Sequence, residues 1–217
     1  LADFAQREDV VIATKVFMPM RDGVNGRGLS RGHILESVHA SLRRLGTDYV
    51  DLFQIHRFDP TVPVEETMQT LDDLVRSGKV RYIGASSMWA WQFAKLQHTA
   101  ELHGWTRFIS MQAQYNLLTR EDEREMYPLC LDQGVGALPW SPLARGKLTR
   151  PWDAPSERFA TDALAPRLYR QAEDSDRRIV DAVLAIAAER EVRPAQVALA
   201  WVLAQPVVSS PIVGATR

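Results

Sequence analysis

Val10-Val11-Ile12-Ala13-Thr14-Lys15 and Tyr49-Val50-Asp51-Leu52-Phe53-Gln54-Ile55-His56 are two short apolar runs, the first ending on a lysine and the second on a histidine. Such runs, bounded by polar or Gly/Pro-containing sequence, read as strands buried on both faces. Between them Ser30 precedes Ile34, Leu35, Val38, Leu42 and Leu45 at helical spacing, and Gly46 follows as a stop, the usual asymmetry of helix caps. Strand, helix and strand in that order predict parallel neighbours. Lys15 and His56 are then expected side by side at the carboxyl edge, where parallel α/β sheets and barrels carry out chemistry.

The same rhythm continues along the chain. Strands are predicted at 10–16, 49–55, 80–85, 108–113, 135–139 and 207–213, and helices at 30–45, 64–77, 89–103, 120–133, 171–190 and 194–204. Val64, Met68, Leu71 and Val75 repeat at three and four before Gly78, the pattern of an amphipathic helix covering a sheet. Strands alternating with helices argue for a parallel sheet in one domain spanning 1–217. A dinucleotide-binding doubly wound sheet would open with a Gly-rich turn running straight into a helix. The candidate Gly23-Val24-Asn25-Gly26-Arg27-Gly28 has the wrong glycine spacing and follows Pro19 and Arg21 in a loop, so a barrel is favoured. An eight-stranded barrel takes roughly 250 residues, and against that measure two strands are missing. Segment 144–170 breaks the rhythm with Pro151, Pro155 and Pro166. A long loop over the carboxyl face is expected to clasp a cofactor or substrate.

Composition narrows the class. Apolar residues make up 46% and charged residues 24%, with 26 basic against 27 acidic groups and a net charge of -1, which argues against nucleic acid or an anionic membrane as partner. Cys130 is the single cysteine, so an internal disulfide and a cysteine metal cluster are excluded and a reducing, cytoplasmic setting is expected. Its neighbours place it on an apolar helix face, where a thiol packs as a small hydrophobe. No apolar stretch approaches the roughly 20 residues of a membrane span, and no signal-peptide layout opens the chain. Leu1 to Arg7 reads as the tail of a helix already under way.

Lys15 is costly at a buried strand end unless its ammonium is paired or used, and a neutral imidazole at His56 beside it makes a pair suited to proton transfer. Further strand ends supply Ser86 and Ser87, then Gln112, then Trp140. Hydroxyls and a Gln suit a carboxamide, and a Trp plane suits a flat heteroaromatic ring. Each also has a structural alternative: Gln112 satisfying a loop backbone, Ser86 capping the next helix, Trp140 in the core.

In order, Ala13-Thr14-Lys15, Tyr49 to His56, Gly84-Ala85-Ser86-Ser87, Gln112-Ala113-Gln114-Tyr115-Asn116-Leu117-Leu118, Trp140-Ser141-Pro142-Leu143 and Val213-Gly214-Ala215-Thr216 resemble the successive signatures of the aldo-keto reductase superfamily. The bacterial branch related to potassium-channel β-subunits is especially similar, and Arg145-Gly146-Lys147-Leu148-Thr149-Arg150-Pro151-Trp152 is similar to a stretch of its YajO-like members. The resemblance implies a (β/α)8 TIM barrel, here lacking its first two strands and last helix, that binds NADP(H) and reduces small carbonyl compounds without a metal. In the family a tyrosine protonates the carbonyl oxygen, and a lysine paired to an aspartate lowers that tyrosine's pKa. By resemblance, Lys15 is that lysine and His56 a histidine orienting substrate. Ser86, Ser87 and Gln112 would hold the carboxamide, and Trp140 would stack on the nicotinamide. Ser141, Pro142, Leu143, Arg145 and Arg150 would line the pyrophosphate and ribose, with Arg158 as a clasp. Gly214, Ala215 and Thr216 would begin the 2'-phosphate site.

None of Tyr49, Tyr82, Tyr115, Tyr127 or Tyr169 stands where the family tyrosine should, and the family aspartate belongs to strands expected before Leu1. The resemblance also admits an alternative, an NADPH-binding regulatory or scaffold protein with little turnover. Substrate identity rests on barrel loops, and nothing in the sequence fixes an oligomeric state.

Overall fold

The computed structural model describes residues 5–155, 168–169 and 173–214. Two compact units divide the chain, one formed by Leu1–Gln112 with Leu129–Val135 and the other by Ala113–Pro128 with Gly136–Arg217.

The first unit alternates β1 (Ala13–Val16), α1 (Arg31–Leu45), β2 (Val50–Ile55), α2 (Val64–Arg76), β3 (Val80–Ser86), α3 (Ala90–His103) and β4 (Ser110–Gln112). The strands pair in sequence order and all in parallel. Their register sorts side chains by face, because successive residues of a strand point to opposite sides. Val16, Ile55, Ala85 and Met111 form one aligned row, and all are buried. Helices supply the matching apolar stripes: Ile34 and Val38 from α1, Met68 and Leu71 from α2, Phe93 and Leu96 from α3. Burying each such side chain contributes about 1.5–3 kcal/mol. The other face carries Lys15, Gln54, Gly84 and Ser110 as mutual register partners. Ser86 pairs with Gln112 one step nearer the carboxyl edge.

Helix ends follow the expected signals. Ser30 accepts a hydrogen bond from the His33 N–H at 3.4 Å, and Gly46 closes α1 in the left-handed region, where a side chain would be strained. Asp72 of α2 accepts from both the N–H and the hydroxyl of Thr106, each at 2.8 Å, which fixes the loop leading into β4. Where a longer helix was expected at 120–133, a 3-10 turn over Glu121–Glu123 precedes α4 (Met126–Asp132). Pro128 has no N–H and fits only a first turn, where that donor has no helical partner. Cys130 is buried in α4.

The second unit holds β5 (Gly136–Ala137), a 3-10 helix over Ala144–Thr149, α5 (Glu173–Glu189) and α6 (Pro194–Leu203). The strand expected at 207–213 is reduced to single parallel bridges, Val208 with Ala137 and Ile212 with Trp140. Pro206 and Pro211 lack the N–H that a continuous ladder would use. Ala144, Leu148, Trp152, Tyr169, Val180, Val183 and Ala198 make this unit's core. Of the long loop expected at 144–170, the part through Pro155 and residues 168–169 lie within the described residues. No helix among the described residues is long and apolar enough to cross a membrane.

The β1–α1 loop is held down by one carboxylate. Asp59 accepts from the Leu29 N–H at 2.9 Å, the Thr61 N–H at 3.0 Å and the Thr61 hydroxyl at 2.6 Å. Gly28 lies against it at φ +90°, and a Cβ there would stand 2.6 Å from Asp59 Oδ2. Gly28→Ala should therefore cost about 1–3 kcal/mol from backbone strain alone, read as a lowered urea midpoint of the full-length protein. Burial opposes ionisation of Asp59, but the Thr61 and Leu29 donors, with Arg27 nearby, outweigh it and hold the pKa below the ordinary carboxylate value. Its stabilisation is thus present above about pH 4 and lost as pH falls through the lowered folded value. Asp59→Asn should be less stable at pH 7, and the gap to wild type should narrow on acidification; a gap that is constant with pH would contradict this assignment.

Candidate functional site

In the first unit, Lys15 sits third in the four-residue β1, and His56 follows the last residue of β2, its N–H bonded to the Val16 carbonyl at 2.9 Å. Lys15 is the register partner of Gln54, so it stands one layer deeper than His56 rather than level with it. A cavity of about 210 Å³ is lined by both, and also by His33, Glu36, Ser37 and Arg44 from α1. No carboxylate pairs with Lys15 among the described residues; Glu36 is occupied by Arg21 at 3.1 Å.

Burial sets most of the electrostatics of the pair, and a neighbouring cation that motif reading passed over, Arg57, adds to it. Arg57 is half-buried and donates to the His56 carbonyl at 2.6 Å. Burial first, and then the Arg57 charge, lower the pKa of Lys15. Burial, Arg57 and Lys15, in that order, lower that of His56. The imidazole is thereby held neutral near pH 7, able to accept at one nitrogen and donate at the other. The signal was present in the sequence as a cation directly following His56.

Ser86 and Ser87 close β3. The Ser86 hydroxyl donates to the Gln112 carbonyl at 2.8 Å, the Ser87 N–H to the same oxygen at 3.0 Å, and the Ser87 hydroxyl lies 3.5 Å from it. Ser87 adopts φ +46°, a left-handed conformation unusual outside glycine and concentrated at functional sites. The hydroxyls thus tie two strand ends together, while no hydrogen bond reaches the Gln112 carboxamide among the described residues.

In the second unit, Trp140 bridges Gln114 on one side and Ile212 on the other. Trp140, Ser141, Pro142, Leu143, Arg145, Arg150 and Gly214 line a single cavity of about 500 Å³, within the range of small-molecule and cofactor sites. Arg158, Ala215 and Thr216 lie outside the described residues. The loop that carries the arginines is strained: Ser141, Ala144 and Arg145 have φ of 54°, 47° and 54°, and Gly146 has 96°. Backbone in this conformation turns successive N–H groups into a concavity suited to anions. Arg150 donates to the Pro155 carbonyl at 3.2 Å.

What holds that loop is Asn116, fully buried. Its Oδ1 accepts from the Leu118 and Thr119 N–H groups at 2.9 and 3.1 Å. Its Nδ2 donates to the Ser141 carbonyl at 2.9 Å and to the Tyr169 hydroxyl at 3.2 Å, and Gln114 also donates to Tyr169 at 3.0 Å. Asn116 was quoted above only as part of a motif; its clamping role depends on tertiary neighbours 25 and 53 positions away. No cluster of metal-ligating side chains occurs among the described residues.

A parallel β/α succession with ionisable groups at its strand ends is the (β/α)8-barrel class. The chain belongs to the Aldo/keto reductase family, which it matches over residues 1–217. It is 54% identical over 195 residues to versiconal hemiacetal acetate reductase of Aspergillus parasiticus, covering 89% of this chain and 56% of that protein. To the aldo-keto reductase AMT2 of Alternaria alternata it is 53% identical, over 89% of this chain and 52% of the relative. To the aldo-keto reductase dtxS3 of Metarhizium robertsii it is 50% identical, over the same two shares. The chain spans about half the length of these relatives.

Because burial, and after it the Arg57 and Lys15 charges, depress the histidine, His56 should titrate in a ¹H–¹³C NMR pH series below the value of about 6.5 for free imidazole. Arg57→Met should move that midpoint upward. An unmoved midpoint would show that the guanidinium does not set the imidazole's charge.

Proposed function

We propose that this chain is the body of an NADP(H)-dependent oxidoreductase that reduces aldehydes or ketones to alcohols in the cytoplasm. The observation that carries the reading is a half-buried lysine, without a carboxylate partner among the described residues, lining one cavity with a histidine held neutral.

The residues suit the cofactor. Two guanidinium groups, the Ser141 hydroxyl and a left-handed backbone concavity offer donors for a pyrophosphate. Trp140 offers a plane for the nicotinamide, and the Gln112 carboxamide a donor and acceptor for its amide. By the family resemblance Ser86 and Ser87 are assigned to the same amide, Pro142 and Leu143 to the pyrophosphate and ribose, Arg158 to a clasp, and Gly214, Ala215 and Thr216 to the 2'-phosphate site. When bound, the reduced nicotinamide supplies hydride to the carbonyl carbon.

The chain's own residues act on the oxygen. Negative charge developing there would be stabilised electrostatically by an ammonium at Lys15 in a partly desolvated cavity. Neutral His56 would position the carbonyl by donating a hydrogen bond, and burial, helped by the Arg57 and Lys15 charges, keeps the imidazole in that uncharged form. The alkoxide would take its proton from the tyrosine that the family resemblance implies, a phenol whose ionisation the Lys15 ammonium favours. The finer likeness to the bacterial YajO-like and channel β-subunit branch has no counterpart among the fungal relatives above, and the reading does not depend on it.

The full-length protein mixed with NADPH and 4-nitrobenzaldehyde should consume the nicotinamide absorbance, and Lys15→Met should slow turnover by at least about 100-fold. Arg150→Met should weaken NADPH binding about tenfold through loss of a charge-assisted contact, read by quenching of tryptophan fluorescence. Tight NADPH binding without turnover would select the regulatory alternative, and absence of both would sink the reading.

A further inference from the structure

The layer that contains Lys15 holds two polar side chains no catalytic reading uses. Gln54, the penultimate residue of β2, is fully buried, the register partner of Lys15 on one side and Gly84 on the other. Neither its Oε1 nor its Nε2 has a hydrogen-bond partner. Ser110, the partner of Gly84 on β4, is also buried, and its Oγ is likewise unpartnered. A buried polar atom left unpaired costs about 1–3 kcal/mol, and buried side-chain groups are ordinarily satisfied. A leucine or methionine at 54 would fill the same space without that cost.

Gly84 shows how closely the two polar groups converge. A Cβ on it would collide with Ser110 Oγ and would lie 3.1 Å from Gln54 Cγ. Glycine at this position therefore leaves Gln54 and Ser110 to occupy one space over the strand between them. On the other side of Gln54 stands its register partner Lys15, itself without a carboxylate partner among the described residues. The charged groups that face Lys15 are His56 and Arg57 at the end of β2, Arg21 in the β1–α1 loop, and His33, Glu36 and Arg44 of α1. The one carboxylate among them, Glu36, is held by Arg21.

We propose that Gln54 is a positioning residue for Lys15, its side-chain carbonyl accepting a hydrogen bond from the ammonium while its NH2 group donates to Ser110 Oγ. The relay runs along one register layer, Lys15–Gln54–Ser110, with Gly84 as the gap it crosses. It satisfies the unpaired atoms of both side chains, fixes the lysine's reach from below, and opposes the loss of its proton. The proposal rests on the catalytic role given to Lys15 above, but the contact itself can be read without turnover.

The test is the titration of Lys15 in the full-length protein. Lysines are reductively methylated with ¹³C-formaldehyde, and the Lys15 resonance is assigned by its loss in Lys15→Arg. Replacing the acceptor by an apolar group destabilises the ammonium, so Gln54→Leu should lower its pKa by about one unit. A carboxylate in place of the amide stabilises it, so Gln54→Glu should raise the pKa by about one unit. Ser110→Ala should move it downward by less. The alkaline limb of kcat/KM should follow in the same directions. If Gln54→Leu does not fold, the opposed shifts of Gln54→Glu and Ser110→Ala decide. A Lys15 midpoint unmoved in folded variants would overturn the proposal, even where activity is lost through packing. Shifted midpoints in a protein without reductase activity would uphold the contact and sink the function.

Discussion

The parallel register that sets Lys15 opposite Gln54, Gln54 opposite Gly84 and Gly84 opposite Ser110 is the constraint on which the first unit turns. A slip of one residue in any strand would exchange the two faces. In β1 it would send Lys15 among the apolar row of Ile55, Ala85 and Met111 under the helices, and bring Val16 to the face that carries Gln54 and Ser110. The register is therefore held from both sides. Apolar burial against α1, α2 and α3 fixes one face, and Gly84 fixes the other, since a side chain there would meet Gln54 and Ser110. Chemistry and stability share the same strands but use alternate residues.

How far the sequence carries the reader can be argued from particular elements. The first four strands and α1 to α3 were legible because each combines an apolar run with punctuation such as Ser30, Gly46 and Gly78. The expected strand at 207–213 fared worse. Its apolar content is real, but Pro206 and Pro211 remove ladder donors, and hydrophobicity does not report on hydrogen bonds. The helix expected from 120 began at Met126 for a similar reason, because Pro128 tolerates only the first turn. Lys15 and His56 were legible as strand ends, whereas the layer offset between them was not. That offset is a property of strand pairing, and pairing is set by residues far apart in sequence.

The residues that escaped sequence reading act through partners. Arg57 was visible as a cation after a histidine, but its effect depends on half-burial and on its nearness to Lys15. Asn116 makes four hydrogen bonds, two to nearby backbone N–H groups and two, to Ser141 and Tyr169, that only the folded chain assembles. Its role bears on the second unit's loop, where three non-glycine residues hold left-handed conformations costing about 1–3 kcal/mol each. Such a loop persists only when its surroundings over-determine it. A fully buried amide that binds Ser141 and Tyr169 at one end and two backbone N–H groups at the other supplies that determination. Rigidity is bought there in advance of any ligand, so binding an anion need not reorder the arginines.

The first unit presents the complementary economy of charge. Lys15, His56 and Arg57 form a basic cluster with no acidic partner among the described residues, and in isolation each would drive the others toward deprotonation. The three differ in how they can respond. Arg57 stays charged under all ordinary conditions, so the response falls on the imidazole, whose ordinary pKa is already near neutrality, and only then on the lysine. Neutralising His56 removes one positive charge from the cluster and leaves a hydrogen-bond donor where an imidazolium would otherwise repel the ammonium. The lysine can then remain protonated in a partly buried cavity, provided that something accepts its hydrogen bonds. In a carbonyl-reducing site the developing oxygen charge is one acceptor, present only as the reaction proceeds. For the proposed reaction, that ordering would make the ammonium's stabilisation greatest in the transition state rather than in the resting protein, which is the condition for it to accelerate the chemistry.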